Sequence, residues 1–336
     1  MAGRRTNLAL LVLLAAAILT GALAYAIGSG WGRVAVIAHG VVGLGLLVLA
    51  PWKSAIARRG LRRRRPGSWA SVALTVLAGL AVLFGILHGT GLVVDLGPVT
   101  AMQVHVGAAL LSLPFAVGHV VARRVRPRRT DLSRRALLRA GAVVGGAGLA
   151  YAGVEGVVRV TGLPGSDRRF TGSYERGSGR PEEMPVTQWL NDAVPEVDAA
   201  SWRLEVVSGS EVVRRWSYEE LAGFDDRVRA TLDCTGGWYA DQVWEGAWLS
   251  RLLPPTGQGR SIRVVSVTGY PRRFPIGDAS RLLVATRVGG RPLDAGHGFP
   301  ARLVAPGRRG FWWVKWIARV EASPVPWWVQ WPFPVT

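Results

Sequence analysis

The chain has 336 residues, a formal net charge of +19, 15 tryptophans and one cysteine. A single cysteine excludes an intramolecular disulfide and any zinc or iron–sulfur site built on a Cys-x-x-Cys pair. The positive charge does not indicate nucleic-acid binding, because many of the arginines stand in short clusters between apolar segments. We therefore expect no nucleic-acid partner.

Nearly every long apolar run precedes Val160, whereas Trp, Pro, Asp and Glu concentrate after it. The first four apolar segments are long enough to cross a bilayer, and the fifth is weaker and rich in glycine. They are roughly Leu8–Ile27, Val34–Trp52, Trp69–Val94, Ala101–Ala122 and Ala136–Val157. The pattern predicts a four-span α-helical transmembrane domain over residues 1–130, followed by a fifth segment over residues 131–160.

Basic residues cluster on one side of the predicted spans. They are Arg4, Arg5, Lys53, Arg58, Arg59, Arg62 to Arg65, Arg123, Arg124, Arg126, Arg128, Arg129, Arg134 and Arg135. The connections after the first and third segments carry only Arg33 and Asp95. By the positive-inside rule, the N-terminus lies in the cytoplasm and everything after the fifth segment lies outside it. We predict a multi-pass protein of the cytoplasmic membrane.

The fifth segment has two interpretations. The run Asp131–Leu138 carries Arg134 and Arg135 ahead of a mildly apolar stretch, which resembles a twin-arginine export signal inside the chain. That route carries folded proteins, as a domain loaded with a cofactor in the cytoplasm requires. Alternatively, the two arginines are further inside charges and the segment is an ordinary span that stays uncleaved.

Four of the five histidines fall in predicted spans, where ionisable side chains are costly and usually functional. With this topology, His39, His88 and His105 lie near the outer surface on three different helices, and two of them could hold a b-type haem. His119 follows His105 on nearly the same face, but the second span offers Lys53 at that depth, which favours one haem over two. The alternative is that these histidines form hydrogen bonds between helices.

After the spans, residues 161–183 are rich in Gly, Ser, Arg, Pro and Glu and are predicted to form a linker. Residues 184–336 form the predicted globular domain, with short strand-like runs separated by Gly- and Pro-rich turns. The runs are Trp202–Val207, Arg263–Val267, Leu282–Thr286 and Trp316–Val320, and one helical stretch lies near Tyr218–Leu221. We therefore expect a strand-rich α+β domain.

Four motifs mark this domain. They are Leu232-Asp-Cys-Thr-Gly-Gly-Trp238, Trp244-Glu-Gly-Ala-Trp-Leu-Ser-Arg-Leu-Leu253, Leu293 to Gly307 with its Gly-His-Gly-Phe-Pro-Ala-Arg-Leu-Val core, and Gly310-Phe-Trp-Trp-Val-Lys-Trp316. Together they resemble the catalytic domain of the sulfite oxidase family, most closely its bacterial protein-methionine-sulfoxide reductase branch. The resemblance covers Met184 to about Val320. It implies a sulfite-oxidase-type molybdopterin-binding fold in which a strand delivers one cysteine and a helix begins in the second motif.

The resemblance implies a molybdenum–molybdopterin cofactor whose metal is bound by the thiolate of Cys234, a soft ligand suited to this metal. Arg302 and Lys315 match the basic positions that hold the pterin phosphate. Further matches are His297 and Asn191 at cofactor-contacting positions, Tyr270 at the active-site tyrosine, and the backbone of Phe311 to Val314 along the pterin. Without the flanking motifs, a lone cysteine in such a domain would be taken for a small buried hydrophobe.

Two departures from the family affect the expected substrate and assembly. Animal and plant sulfite oxidases carry Arg-Asn-His where this chain has Leu190-Asn191-Asp192, so sulfite becomes less favoured unless Arg272 and Arg273 compensate. The chain ends soon after Val320, without the immunoglobulin-like dimerisation domain of true sulfite oxidases. A monomeric catalytic domain is expected.

The sequence thus predicts a membrane-anchored oxidoreductase that transfers an oxygen atom to or from a small or sulfoxide-like substrate. Its electrons would be exchanged with the membrane quinone pool or another electron-transfer partner. A sulfite-oxidase-like oxidase is the enzymatic alternative, and a membrane-tethered binding module without turnover is the non-catalytic one. A transporter or channel would leave the large C-terminal domain unexplained.

Overall fold

The computed structural model describes residues 2–61, 68–125, 128, 131, 133–188, 193–254 and 259–334. The chain divides into two compact units. One comprises Met1–Tyr25 with Gly30–Gly172, and the other comprises Ala26–Ser29 with Ser173–Thr336. The first unit holds the apolar segments and the second holds the four motifs.

The first unit is built on five long helices, α1 (Ala2–Ala26), α2 (Trp31–Leu61), α3 (Ser68–Thr90), α4 (Ala101–Ala122) and α5 (Arg134–Val160). In each of them the described residues include a stretch long and apolar enough to cross a membrane. The fifth segment meets this criterion as well as the first four. The expected helical transmembrane bundle is confirmed as an architecture.

Local chemistry sets the start of α4. Two short strands, β1 (Asp95–Leu96) and β2 (Val99–Thr100), pair antiparallel immediately before the helix. The hydroxyl of Thr100 then accepts from the Gln103 N–H at 3.1 Å, while the Thr100 N–H donates to Gln103 Oε1 at 2.7 Å. This reciprocal cap satisfies N–H groups that have no partner within the helix.

The second unit contains two sheets and two short helices. The first sheet is formed by β3 (Tyr174–Glu175), β6 (Asp226–Asp233), β7 (Trp238–Trp248), β10 (Leu283–Val288), β11 (Arg291–Pro292) and β12 (Arg302–Val304). The second sheet has the order β5 (Glu211–Ser217), β4 (Arg203–Ser208), β13 (Ile317–Ser323), β8 (Ser261–Ser266) and β9 (Pro271–Pro275). The helices are α6 (Tyr218–Ala222) and α7 (Leu249–Leu252). The prediction of a strand-rich α+β domain is confirmed.

One hydrophobic core joins the two sheets. Its fully buried side chains come from both, and include Leu204, Trp244, Ile262, Phe274, Leu283, Leu303, Trp313 and Ile317. The first half of β7 alternates between buried and more exposed residues, whereas its second half and nearly all of β10 are buried on both faces of the sheet. The packed sheets provide a rigid base for the loops that follow β6 and β12.

The helix expected to begin within Trp244–Leu253 begins at Leu249 as α7, after β7, which extends to Trp248 because β6 and β10 pair with it on either side. The predicted linker ended at residue 183, whereas the compact C-terminal unit already includes the chain from Ser173 onward. The Tyr174 N–H donates to Gly237 O at 2.9 Å and Gln242 Nε2 donates to Gly177 O at 2.6 Å, so these contacts bind the polar segment to β7.

Candidate functional site

Cys234 lies in the tight turn between β6 and β7. Its N–H donates to Trp238 O at 2.8 Å, and its carbonyl accepts from the Gly237 N–H at 3.2 Å. Gly237 has a φ of +96°, a conformation that favours glycine. The Gly236 N–H points at Cys234 Sγ from 3.3 Å. The turn therefore fixes the backbone of Cys234 and gives its sulfur one backbone donor.

The environment of the Cys234 thiol combines burial with nearby positive charge. Burial raises its pKa, and the effect is opposed by the Gly236 N–H, the Thr187 hydroxyl and the charges of Arg309 and Lys315. Without a metal the group is therefore held as a thiol. A bound cation would replace the proton, because metals take cysteine as the thiolate.

Arg302, the first residue of β12, is a buried cation. It is 1% exposed and lies over the rings of Trp244 and Trp313, at 5.0 and 5.5 Å from their centroids. Nη1 donates to His297 O at 3.1 Å and Nη2 to Trp313 O at 3.4 Å, while the buried Nε has no partner among the described residues. Burial lowers its pKa to about 9. Within the described part of the chain, Arg302 makes no ion pair, so its charge is uncompensated.

Lys315 adds a second, partly buried cation. Its Nζ donates to Gly296 O at 2.7 Å and to Thr187 O at 3.0 Å. Burial, and secondarily the charge of Arg302, lowers its pKa to about 7. Arg302 lies near enough to depress the Lys315 pKa, and neither cation forms an ion pair with a carboxylate among the described residues. Burying such charges is costly unless an anion joins them, so the pair fits a phosphate group.

His297 lies near both cations, on the short 3₁₀ helix Ala295–His297. It is 4% exposed, and its buried Nε2 has no hydrogen-bond partner among the described residues. Burial, followed by the charges of Arg302 and Lys315, lowers its pKa, so the ring is neutral at pH 7. A Cβ at Gly298 would lie 2.9 Å from Arg302 Cβ, which is why this loop needs glycine. The orphan nitrogen is available to a ligand group.

Tyr270 is linked to the same region through the segment Gly310–Trp312. Its hydroxyl donates to Phe311 O at 2.7 Å and accepts from Arg272 Nε at 2.5 Å. Arg272 is 2% exposed and also donates to Trp331 O, while Arg273 Nη1 donates to Ser323 Oγ. Both arginines thus have partners within the protein. The predicted position Asn191 lies outside the described residues, as do Leu190 and Asp192.

Sequence reasoning missed three residues beside Cys234. The Arg309 Nη1 donates to Asp233 Oδ1 at 2.6 Å, and both side chains are 4% exposed. Thr187 accepts from Trp238 Nε1 at 2.9 Å, and its side chain lies next to Gly236. The sequence could have pointed to two of them only because they neighbour the recognised motifs: Asp233 directly precedes Cys234, and Arg309 directly precedes the motif that begins at Gly310.

In the helical unit, the structure brings His39 of α2 and His105 of α4 together. Their Nε2 atoms are 3.4 Å apart. His39 Nδ1 lies 3.0 Å from Ala17 O, and His105 Nδ1 lies 2.6 Å from Ala81 O. Carbonyl oxygens only accept, so both Nδ1 atoms carry a proton and both Nε2 atoms turn a lone pair toward each other.

The other two membrane histidines have different partners. His88 on α3 is 2% exposed, and its Nε2 lies 2.8 Å from Gly172 O. His119 Nδ1 lies 2.9 Å from Ser71 Oγ. Of the three predicted haem ligands, the structure therefore pairs His39 with His105 and leaves His88 facing a backbone carbonyl.

Lys315 leads to a pH prediction for the cofactor-free protein. The unfolded chain keeps this lysine protonated up to about pH 10.4, but the folded state releases the proton above about pH 7. Because the unfolded state then binds more protons, the free energy of unfolding should rise with pH between about 7 and about 8.5. The Tm of the cofactor-free protein should rise over this window, and Lys315→Met should flatten the rise. Equal pH slopes for the two proteins would contradict the assignment.

Comparison with known proteins places these residues in a known family. The family model described as the oxidoreductase molybdopterin binding domain matches residues 191–331, a range that contains Cys234, Tyr270, His297, Arg302 and Lys315. The C-terminal unit is therefore a molybdopterin-binding oxidoreductase domain. This domain is similar to the molybdopterin-dependent oxidoreductases of the sulfite oxidase family.

Three curated relatives illustrate the match. The mitochondrial sulfite oxidase of Homo sapiens is 28% identical over 168 residues, covering 39% of this chain and 31% of that one. The NADH nitrate reductase of Hordeum vulgare is 28% identical over 170 residues, covering 39% and 19%. The putative protein-methionine-sulfoxide reductase subunit YedZ1 of Azospira oryzae is 29% identical over 133 residues, covering 38% and 51%. The chain thus spans about half or less of each relative's length.

Among solved structures, the sulfane dehydrogenase SoxCD from Paracoccus pantotrophus matches 39% of this chain and 40% of its own. The sequence identity is 24% and the TM-score is 0.35, too low a value to establish a shared overall fold.

Proposed function

We propose that this protein is a membrane-anchored molybdenum oxidoreductase that transfers oxygen atoms on a sulfoxide-like or other small substrate outside the cytoplasmic membrane. The observation that carries the proposal is a pair of cations that form no ion pair among the described residues, Arg302 fully buried and Lys315 partly buried, in the same domain as the single thiol of Cys234. An anionic cofactor that presents a thiophilic metal satisfies both features.

The residues present fit molybdopterin. Arg302 and Lys315 would hold its phosphate, the orphan Nε2 of His297 would accept from or donate to it, and Cys234 would bind the metal. When bound, the molybdenum centre supplies oxygen-atom transfer coupled to a two-electron change. The chain's own contribution is to neutralise the anion and to orient the thiolate. Tyr270, whose hydroxyl already donates to Phe311 O, would orient the segment Gly310–Trp312.

The sulfoxide preference rests on two observations. The arginine that the animal and plant sulfite oxidases carry ahead of the Pro-rich stretch is replaced here by Leu190, and Arg272 is committed to Tyr270 and Trp331. Fewer free cations disfavour a dianionic substrate such as sulfite. Reduction of a neutral sulfoxide needs two electrons and two protons and releases the sulfide and water.

A paired assay tests the substrate class. Protein from a cofactor-competent host would be offered methionine sulfoxide with a reduced viologen dye, and separately sulfite with ferricyanide. We expect kcat/KM for sulfoxide reduction to exceed that for sulfite oxidation by at least about tenfold, the effect of one lost charged contact. A higher kcat/KM for sulfite oxidation would establish the oxidase alternative, which the 28% identity to human sulfite oxidase supports. Molybdenum-free protein with neither activity would indicate a tethered binding module.

We also infer that His39 and His105 hold a b-type haem that relays electrons between the quinone pool and the molybdenum site. Two lone pairs facing each other at 3.4 Å repel unless a cation lies between them. The gap is close to twice a metal–nitrogen bond of about 2.0 Å, and both Nδ1 atoms are anchored as in ligating histidines. Each ring faces a glycine, since a Cβ at Gly21 or Gly85 would lie 3.0 Å from it.

The proposed topology follows the charges beside the helices. Arg4 and Arg5 at the start of α1, Arg58 near the end of α2 and Arg123 after α4 belong on the cytoplasmic side. The catalytic unit then lies outside, and the twin arginines Arg134 and Arg135 at the start of α5 would direct its export in folded form. Protease protection in spheroplasts distinguishes this orientation from its inverse.

A further inference from the structure

The ion pair between Arg309 and Asp233 lies against the Cys234 turn. Arg309 Nη1 donates to Asp233 Oδ1 at 2.6 Å, and the two residues also form a parallel β-bridge. Both side chains are buried at 4% exposure. A buried pair of this kind is seldom retained for stability alone, because removing two charges from water costs about as much as their attraction returns. Its contacts indicate what else it does.

The pair holds the carbonyl of Cys234. Arg309 Nη2 donates to Cys234 O at 3.3 Å, and the Ser173 hydroxyl lies 2.7 Å from Asp233 Oδ1 and 3.4 Å from Cys234 O. The Gly237 N–H donates to the same carbonyl at 3.2 Å. Arg309 and Gly237 therefore donate to this oxygen, while the single hydroxyl hydrogen of Ser173 goes to Asp233 and fixes the carboxylate beside it. With the Cys234 N–H bonded to Trp238 O, both polar backbone groups of the cysteine are fixed, and so is the direction of its Cα–Cβ bond.

The residue after Arg309 also packs closely against the backbone of Cys234. A Cβ at Gly310 would lie 3.1 Å from Cys234 Cα and 3.3 Å from Asp233 O, so any larger residue would displace the cysteine backbone by a few tenths of an ångström. The planar guanidinium suits such a position, because its two terminal nitrogens can serve two acceptors at a fixed angle. A lysine ammonium would satisfy the Asp233 charge but would lose this fixed two-pronged geometry.

We propose that Arg309, acting with Asp233 and Ser173, is a positioning residue that sets the direction in which Cys234 presents its sulfur to the metal. The proposal rests on the proposed molybdenum function. Groups behind a ligand orient it and tune the metal, and their removal typically costs about 10- to 100-fold in metal affinity or activity.

The first test compares the full-length holoproteins of wild type, Arg309→Lys and Arg308→Lys. Arg308 is the matched control, because it adjoins Arg309 but pairs with Asp278 at 3.2 Å and is 31% exposed. We expect Arg309→Lys to retain its molybdenum, to lose about tenfold in kcat at unchanged KM, and to give a broadened Mo(V) electron paramagnetic resonance signal from several thiolate orientations. Arg308→Lys should match wild type in all three.

The second test needs no cofactor. Cys234 is the only cysteine, so alkylation of cofactor-free protein by iodoacetamide reports on this turn alone. Loss of the Arg309 hydrogen bonds to Asp233 and to Cys234 O should let the turn open more often. We therefore expect alkylation to be about tenfold faster in Arg309→Lys, with a smaller increase in Ser173→Ala. If Arg309→Lys does not fold, Ser173→Ala decides the case.

Wild-type alkylation rates in Arg309→Lys and Ser173→Ala, together with an unchanged resonance signal, would overturn the proposal. If wild-type protein carried no molybdenum, the proposed function would fail, while the alkylation rates would still decide whether Arg309 fixes the cysteine.

Discussion

Replacing Cys234 by serine is expected to abolish oxygen-atom transfer, lowering kcat/KM at least about 100-fold, while part of the cofactor stays bound. The hydroxyl of serine is a harder and far less acidic ligand than a thiol, so it is a poor substitute at a thiophilic metal. Arg302 and Lys315 remain in place to hold the phosphate. Elemental analysis should therefore still find molybdenum, with a Mo(V) resonance signal shifted from that of wild type.

The control for this variant is Thr235→Ser, a similarly small change in the same turn. It should keep wild-type molybdenum content, resonance signal and turnover. An active Cys234→Ser protein with an unaltered Mo(V) signal would show that the thiolate does not bind the metal, and it would contradict the proposed mechanism.

Replacing His105 by alanine should remove the haem absorption of the purified protein. The variant loses one of two facing Nε2 donors, and a haem left with one axial histidine binds far more weakly. We expect the Soret band per protein to fall at least about tenfold, with the same loss in His39→Ala. Visible spectra of equal amounts of detergent-purified protein measure this directly.

His88→Ala and His119→Ala are the matched controls, since their ring nitrogens lie near Gly172 O and Ser71 Oγ. Both should keep the Soret band. A spectrum abolished by His88→Ala but unaffected by His39→Ala would assign the ligands differently. If wild-type protein from a haem-sufficient host showed no Soret band, the four histidines would be hydrogen-bonding groups and not haem ligands.

The sequence by itself determined the architecture and the class of cofactor. Membrane helices depend on the length of a single apolar run, which is a local property, so all five apolar segments match helices long enough to span. The four predicted strands overlap β4, β8, β10 and β13 for a similar reason, since alternation is visible within a few residues. The Cys234 motif pointed to a family that the match over residues 191–331 confirms.

Tertiary structure alone decided which distant residues meet. Arg309 lies 76 positions from Asp233, and His39 lies 66 positions from His105, and no periodicity reports on contacts of that range. The sequence therefore gave no reason to prefer any two of His39, His88 and His105 as a facing pair. Packing of the helices brings His39 and His105 together, with their Nδ1 atoms against Ala17 O and Ala81 O.

The same reason explains the linker boundary and the missed residues. Gly177 and its neighbours looked like a linker because their composition is polar, yet β7 supplied the hydrogen-bond partners that order them. Arg302 was found from a motif, but the absence of any ion pair for it within the described residues became visible only once the fold had buried it between Trp244 and Trp313. The helices, the strands and the Cys234 motif could be predicted because they depend on residues close together in the sequence. Burial depends on the whole fold, so only the structure showed that the charge of Arg302 is left for a cofactor to neutralise.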